Sequence, residues 1–360
     1  MLDSLYIANF RLFRELKIKR LGMVNLFSGK NGSGKSCLLE ALNIYFGNGH
    51  QRLLADLIAS RNEDKYPNQA DYLDLENGLK NNPFRHLFRG RAFPPTSEDG
   101  IQIGKADQTN LLQICTRKTI EKNNQIFITS DNEDYIFLMS SREGKFNPIS
   151  PINQSKNKGQ PIYARDGYGY SQKLHHLDSY GFLDKNITAR LWDEITLTPL
   201  EEHVIQALNF INDQITGLTF SVTTDLEDRR IPAVRIGHSY DRIPLKSLGD
   251  GAVRILHIIL AMVNAKEGVL LIDEAENGLH WSVHPKLWKI IFHLSQQLNI
   301  QVFATTHSKD CIAGFHEAWL ENPEEGAFFR LDADPEEGAK VMPYSLKTLG
   351  NALKSQVEMR

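Results

Sequence analysis

Gly29-Lys30-Asn31-Gly32-Ser33-Gly34-Lys35-Ser36, followed by Cys37, is the stretch on which the reading of this chain turns. The first eight residues fit G-x-x-x-x-G-K-[ST]. They stand between "MVNLFSG" (23–29), which reads as a strand, and a segment whose Leu38, Leu39, Leu42 and Tyr45 recur at helical spacing. A glycine-rich loop in that context is a phosphate cradle. Its backbone N–H groups close around the phosphates, and the helix N-terminus adds a favourable field. Lys35 would neutralise the β- and γ-phosphates, and the Ser36 hydroxyl would take a Mg²⁺ position. The expected nucleotide contacts are therefore Gly29, Asn31, Gly32, Ser33, Gly34, Lys35, Ser36 and Cys37.

Working outward, two further strand ends carry chemistry. "VLLIDE" (269–274) is an apolar strand closing on two carboxylates, in which Asp273 can hold Mg²⁺ and Glu274 can polarise an attacking water. "QVFATTH" (301–307) ends on His307, placed to donate to the γ-phosphate and sense its departure. The turn Glu276-Asn277-Gly278-Leu279-His280 carries polar side chains that could reach across a subunit interface, or form a solvated Asn-Gly turn. "SLGDG" (247–251) leads into the apolar "AVRILHIILAM" as a bare helix entrance, a second anion site of the kind the phosphate loop provides. One nucleotide needs one cradle, so this second cradle implies a second phosphate contact, and unless it folds back onto its own loop it serves the nucleotide of another copy.

Around these motifs, "LYIANFRLF" and "ELKIKRL" read as strands before the loop, and a helix is expected around 51–60. Residues 101–140 read as β-rich. Residues 141–172, rich in Gly, Pro, Ser and Asn, read as a long mobile loop, and His175-His176 as surface loop. Val204, Leu208, Ile211 and Ile215 mark an amphipathic helix. Strands apolar on both faces, alternating with helices, predict an α/β fold with a mostly parallel sheet. No internal repeat or long heptad run interrupts this pattern.

Composition narrows the classes. With 41 Lys+Arg against 44 Asp+Glu the net charge is −3, which gives no overall pull towards nucleic acid or anionic membrane. Cys37, Cys115 and Cys311 show no metal-ligand spacing and fit a reduced, cytoplasmic protein. "MLDSLYIANF" has no signal-peptide pattern, and no apolar window is long enough to span a membrane.

In their order, the phosphate loop, Ser/Gly turn, Asp-Glu strand, polar turn and strand-end His resemble the ABC-type ATPases. "LYIANFRLFRELKIKRLGMVNLFSGKNGSGKSCLLEAL" (5–42) resembles the soluble branch containing SMC proteins, their recombination-nuclease relatives and the OLD-family ATPases. "PLKSLGDGAVRILHIIL" (244–260), "LLIDEAENGLHWSVHPKLW" (270–288) and "VFATTHSKDCIAGFHEAW" (302–319) resemble short bacterial ATPases of anti-phage defence loci, of the broad kind that includes the PARIS-type ATPase. The resemblance covers about 1–50 and 185–360.

It implies an ABC-ATPase-type fold with a mixed or parallel central sheet, an antiparallel β subdomain and an α/β insertion. The head would be split between 1–50 and 185–360, with 51–184 inserted. It further implies a homodimer, or higher oligomer, sandwiching two ATPs, each phosphate loop completed by the other copy's signature turn. Lys35 and Ser36 would bind nucleotide and Mg²⁺, Asp273 would be the second metal contact, Glu274 the catalytic base and His307 the switch. Arg11 would contact phosphate or nucleotide. The signature contacts would come from Ser247, Gly249 and Gly251, with either Ser247 or Gly249 in the usual serine's place. The glutamine loop has Gln102 and Gln113 as its candidates.

The function implied is ATP-driven sensing or regulation of a separately encoded effector, such as a TOPRIM- or HNH-type nuclease or a toxin. The other reading is a DNA-repair ATPase, with "PFRHLFRGRAF" (Arg85, Phe88, Arg89, Arg91) contacting nucleic acid. Asp332-x-Asp334 offers an acidic pair, but fewer than thirty residues follow it, too few for a TOPRIM domain; it reads as a hairpin turn.

Overall fold

A computed structural model of the chain describes residues 1–64, 79–95, 100–122, 125–128, 135–152, 174–178, 186–222, 230–238 and 241–359. The strands are β1 (Leu5–Phe10), β2 (Phe13–Ile18), β3 (Val24–Ser28), β4 (Ile101–Gly104), β5 (Leu112–Lys122), β6 (Gln125–Ile128), β7 (Tyr135–Arg142), β8 (Lys145–Pro151), β9 (Leu174–Leu177), β10 (Ile215–Val222), β11 (Arg230–Ile236), β12 (Ile243–Pro244), β13 (Val269–Ile272), β14 (Gln301–Thr306), β15 (Gly326–Asp334) and β16 (Gly338–Tyr344). The helices are α1 (Lys35–Phe46), α2 (Gln51–Ser60), α3 (Ile187–Asp193), α4 (Leu200–Leu208), α5 (Asp250–Asn264), α6 (His284–Leu298), α7 (Lys309–Glu321) and α8 (Leu346–Lys354). Among the described residues, no helix is long and apolar enough to cross a membrane.

The central sheet runs β16-β15-β3-β14-β13-β9, parallel throughout except for β16. It is a wall between two cores, and the pleat explains why its strands are apolar on both faces. Leu26, Leu270, Ile272, Val302 and Ala304 face one core, with α5, α6 and α7. Phe27, Val269, Leu271 and Phe303 face the other, with α1 and the antiparallel sheet. Helix α5 shows the same logic in a helix: Ile255, Leu256, Ile258, Ile259, Leu260 and Met262 are fully buried, so it is apolar nearly all round. At the start of α7, the Ser308 hydroxyl accepts from the Cys311 N–H at 3.3 Å, satisfying an otherwise orphaned donor.

The antiparallel sheet, β2-β1-β4-β5-β7-β8 with β6 on β5, joins the first strands to the middle of the chain. Ala8 pairs with Gln102, and Gln102 in turn with Gln113. Both glutamine-loop candidates therefore lie on strands, side by side, and neither is on a loop.

Three further expectations are corrected. Within 141–172, β8 pairs with β7 from Arg142↔Lys145 to Phe137↔Pro151, with one register shift between Met139↔Pro148 and Leu138↔Ser150. Its prolines are tolerated because it is an edge strand, needing ladder donors on one side only; residues 153–172 lie outside the described residues. His175 and His176 belong to β9, paired in parallel with β13. The amphipathic helix stops at Leu208. Ile211 sits in the following turn, where the Asn212 side chain accepts from the Gln214 N–H at 3.0 Å, and Ile215 opens β10. Both isoleucines still reach the core, from a turn and from a strand.

Candidate nucleotide-binding site

Because β3, β14 and β13 are adjacent and parallel, their carboxyl ends open on one edge of the sheet, where open α/β sheets place ligands. The phosphate loop leaves β3, Asp273 and Glu274 follow β13, and His307 follows β14.

In the loop, Gly29, Gly32 and Gly34 have φ of +152°, +79° and +103°. A Cβ on Gly29 would lie 2.4 Å from the Leu331 carbonyl oxygen, so only glycine fits there; one on Gly32 would meet nothing within 4 Å. The loop is thus packed at its base and open at its crest. The Lys35 ammonium is buried and donates to the carbonyls of Gly29 at 2.6 Å and Lys30 at 3.1 Å, which leaves one donor of three uncommitted by these bonds. Burial pushes its pKa below the ordinary lysine value, against the opposing pull of Asp273, Glu274 and Glu276. The Ser33 hydroxyl is buried with no hydrogen-bond partner among the described residues. Gly34 offers α1 no side-chain cap. An orphaned hydroxyl, an uncapped helix N-terminus and a buried ammonium together suit phosphate oxygens. Ser36 Oγ donates to Asp273 Oδ2 at 3.0 Å, so two hard oxygen donors of the kind Mg²⁺ takes stand together. Asn31 is exposed, whereas Cys37 turns its thiol inward, 3.7 Å from Arg61 Nη2.

Thr305 is the fully buried residue that organises the carboxylates. Its hydroxyl donates to Asp273 Oδ1 and accepts from the Glu274 N–H at 2.9 Å, while its carbonyl accepts from the Ala275 N–H at 3.0 Å. These bonds hold Glu274 at φ +51°, a conformation that costs a non-glycine residue about 1–3 kcal/mol. The only sequence signal for Thr305 was a polar pair, Thr305-Thr306, closing an otherwise apolar strand.

The polar turn after the carboxylates does not present its first two residues outward. Asn277 Nδ2 donates to Glu274 Oε2 at 2.6 Å, and the His307 N–H donates to Glu276 Oε1 at 2.8 Å. Leu279 packs beneath the signature helix, where a Cβ on Gly251 would lie 3.1 Å from Leu279 Cδ2. His280 stays exposed, with Nδ1 2.8 Å from Ser282 Oγ.

Ser247 and Gly249 are exposed at the entrance of α5, where Gly249 at φ +120° contributes no side-chain cap. The Arg11 guanidinium is committed elsewhere. It pairs with Glu40 on α1, and its Nη1 lies 2.9 Å from Glu63 Oε2, with the side chain 6 % exposed. Phe88 is buried against Phe93, and Arg89 donates to the Glu336 carbonyl at 3.0 Å. Asp332 binds Arg330 at 2.8 Å. Asp334 accepts from the N–H groups of Glu336 and Glu337, and the latter bond with Lys340 holds its pKa at about 2. Both aspartates stand on the last residues of β15, and only Asp334 caps the hairpin turn into β16.

Parallel sheet, phosphate loop and antiparallel partner sheet define a P-loop ATPase with the fold of an SMC head, an ATP-hydrolysing enzyme. The chain belongs to the AAA ATPase domain family (AAA_15), which it matches over residues 1–160 and 182–312. It is 26 % identical over 328 residues to an ATP/GTP phosphatase of Helicobacter pylori, covering 87 % of this chain and 86 % of that one. It is 22 % identical over 295 residues to the DNA replication and repair protein RecF of Rickettsia bellii, covering 78 % and 72 %. Among solved structures, an SMC head bound to the C-terminal winged-helix domain of ScpA superposes with a TM-score of 0.50 at 11 % identity, covering 96 % and 98 %. That likeness is one of fold.

Proposed function

We propose that two copies of this chain face each other around two ATP molecules, and that the resulting cycle regulates a separately encoded effector, a nuclease or toxin of bacterial anti-phage defence. The observation that carries the paired arrangement is the entrance to α5, a buried helix whose N-terminus is exposed and uncapped. Such an end attracts an anion, and the chain already has a cradle of its own at Gly29–Ser36. Within each site Lys35 and the loop N–H groups bind the phosphates, and Ser36 and Asp273 hold Mg²⁺, whose charge offsets that of the phosphates. Glu274 takes a proton from the attacking water, and His307 donates to the γ-phosphate side. Arg11 acts on the nucleotide side indirectly, by fixing α1 through Glu40.

Gly251→Glu places a carboxylate at this entrance. ATP binding should stay within about twofold, while ATP-dependent dimerisation disappears and turnover falls at least tenfold. Sedimentation with and without ATP reads the result, and unchanged turnover would remove the paired arrangement. For the effector, the chain is expressed with its neighbouring genes and purified with and without ATP. A nuclease-like or toxin-like companion retained in a nucleotide-dependent way supports the regulator, and a chain that purifies alone in both conditions counts against it.

The similarity to RecF favours a second reading, in which the ATPase engages DNA. Hydrolysis stimulated by duplex DNA and suppressed by salt would select it.

A further inference from the structure

Glu276 has no part in the chemistry described above, yet it is 9 % exposed and its carboxylate faces His307 twice. Its Oε1 accepts from the His307 N–H at 2.8 Å and lies 3.1 Å from His307 Nδ1. Glu274 Oε1 stands 3.7 Å from the same Nδ1. We propose that Glu276 is a positioning residue for hydrolysis, acting through His307. The inference rests on the assignment of His307 to the γ-phosphate side.

The chemistry favours this over a simple backbone cap. A neutral amide or hydroxyl would satisfy one N–H at little cost, whereas burying a carboxylate is expensive unless it meets a positive or strongly polarised partner. Two such partners are in reach of its field, the His307 imidazole and the Lys35 ammonium. Its second oxygen, Oε2, is buried without a hydrogen-bond partner among the described residues, so His307 accounts for the bonding seen. The carboxylate oxygen 3.1 Å from Nδ1 makes no hydrogen bond to it, but its charge favours the proton on that nitrogen, leaving Nε2 as the nitrogen available to a phosphate. The imidazole is 43 % exposed, and the carboxylate lies against its buried Nδ1 edge. The same turn holds the other candidate group through Asn277, so Glu274 and His307 are both oriented by adjacent residues of one turn.

The test uses the full-length chain with ATP as the probe. Glu276→Gln keeps an acceptor for the His307 N–H and so should fold with an unchanged Tm. Its kcat should fall about tenfold or more, with KM and ATP affinity within about twofold. His307→Ala should lose at least as much, and adding Glu276→Gln to it should cost less than a further twofold, because the two residues act as one unit. Losses that multiply in the double variant overturn the inference alone. A Glu276→Gln variant with wild-type kcat does the same. A His307→Ala variant that turns over normally overturns both the inference and the His307 assignment beneath it.

Discussion

Glu274→Gln should cut ATP turnover by about 10²–10⁴-fold while ATP binding survives, the range typical of removing a positioned general base. The substitution is nearly isosteric, and the new amide oxygen can still accept from Asn277 Nδ2, which now donates at 2.6 Å. The backbone held at φ +51° by Thr305 is untouched. What disappears is the capacity to take a proton, so the loss belongs in kcat, with KM little changed. On the paired arrangement, such a variant also accumulates as an ATP-bound dimer, visible by light scattering. Phosphate release measured beside equilibrium binding separates the effects. Near-normal turnover would place the base elsewhere.

Lys35→Ala should weaken ATP binding by about 10²-fold or more, and turnover should vanish with it. Charge-assisted hydrogen bonds contribute about 1.5–3 kcal/mol each, and each 1.4 kcal/mol is a factor of ten in affinity. Two effects add here. The ammonium no longer meets the phosphates, and its tethers to the Gly29 and Lys30 carbonyls at 2.6 and 3.1 Å no longer shape the loop. A binding isotherm for ATP checks this, and undiminished affinity would refute the placement of the phosphates. Lys35→Arg should not rescue fully, because a planar guanidinium cannot occupy a slot built for a compact ammonium.

Much of the fold was legible because the motifs sit at the ends of strands that are apolar on both faces. "VNLFS", "VLLI" and "QVFATT" each read as buried strands, and each delivers its polar group to the same sheet edge. In the polar stretch that follows, the helix expected around 51–60 forms over Gln51–Ser60. What could not be read depends on partners far along the chain. Strand β9, "LHHL", has no apolar alternation and exists because β13 pairs with it across some ninety residues, from Leu174↔Val269 to Leu177↔Ile272. Strand β8 hides behind two prolines that only an edge position tolerates. Arg11 reads as a nucleotide contact until Glu40 and Glu63 are seen to claim it. Glu276 and Asn277 read as residues of a turn that could reach across a subunit interface or stay solvated, because spacing alone does not tell which way a short loop turns its side chains. Their inward direction follows from His307 and Glu274 lying beneath them.

In the paired arrangement, each ATP site draws its phosphate loop from one copy and its signature turn from the other. Mixing Lys35→Ala protein with Gly251→Glu protein tests it most directly. In a mixed pair, one site is doubly damaged, while the other joins an intact phosphate loop to an intact signature turn. Because neither variant pairs with itself around ATP, the pairs that form are mixed, each with one sound site of two, and turnover should return to as much as about half of the wild-type value. A mixture as inactive as its two components would contradict the account.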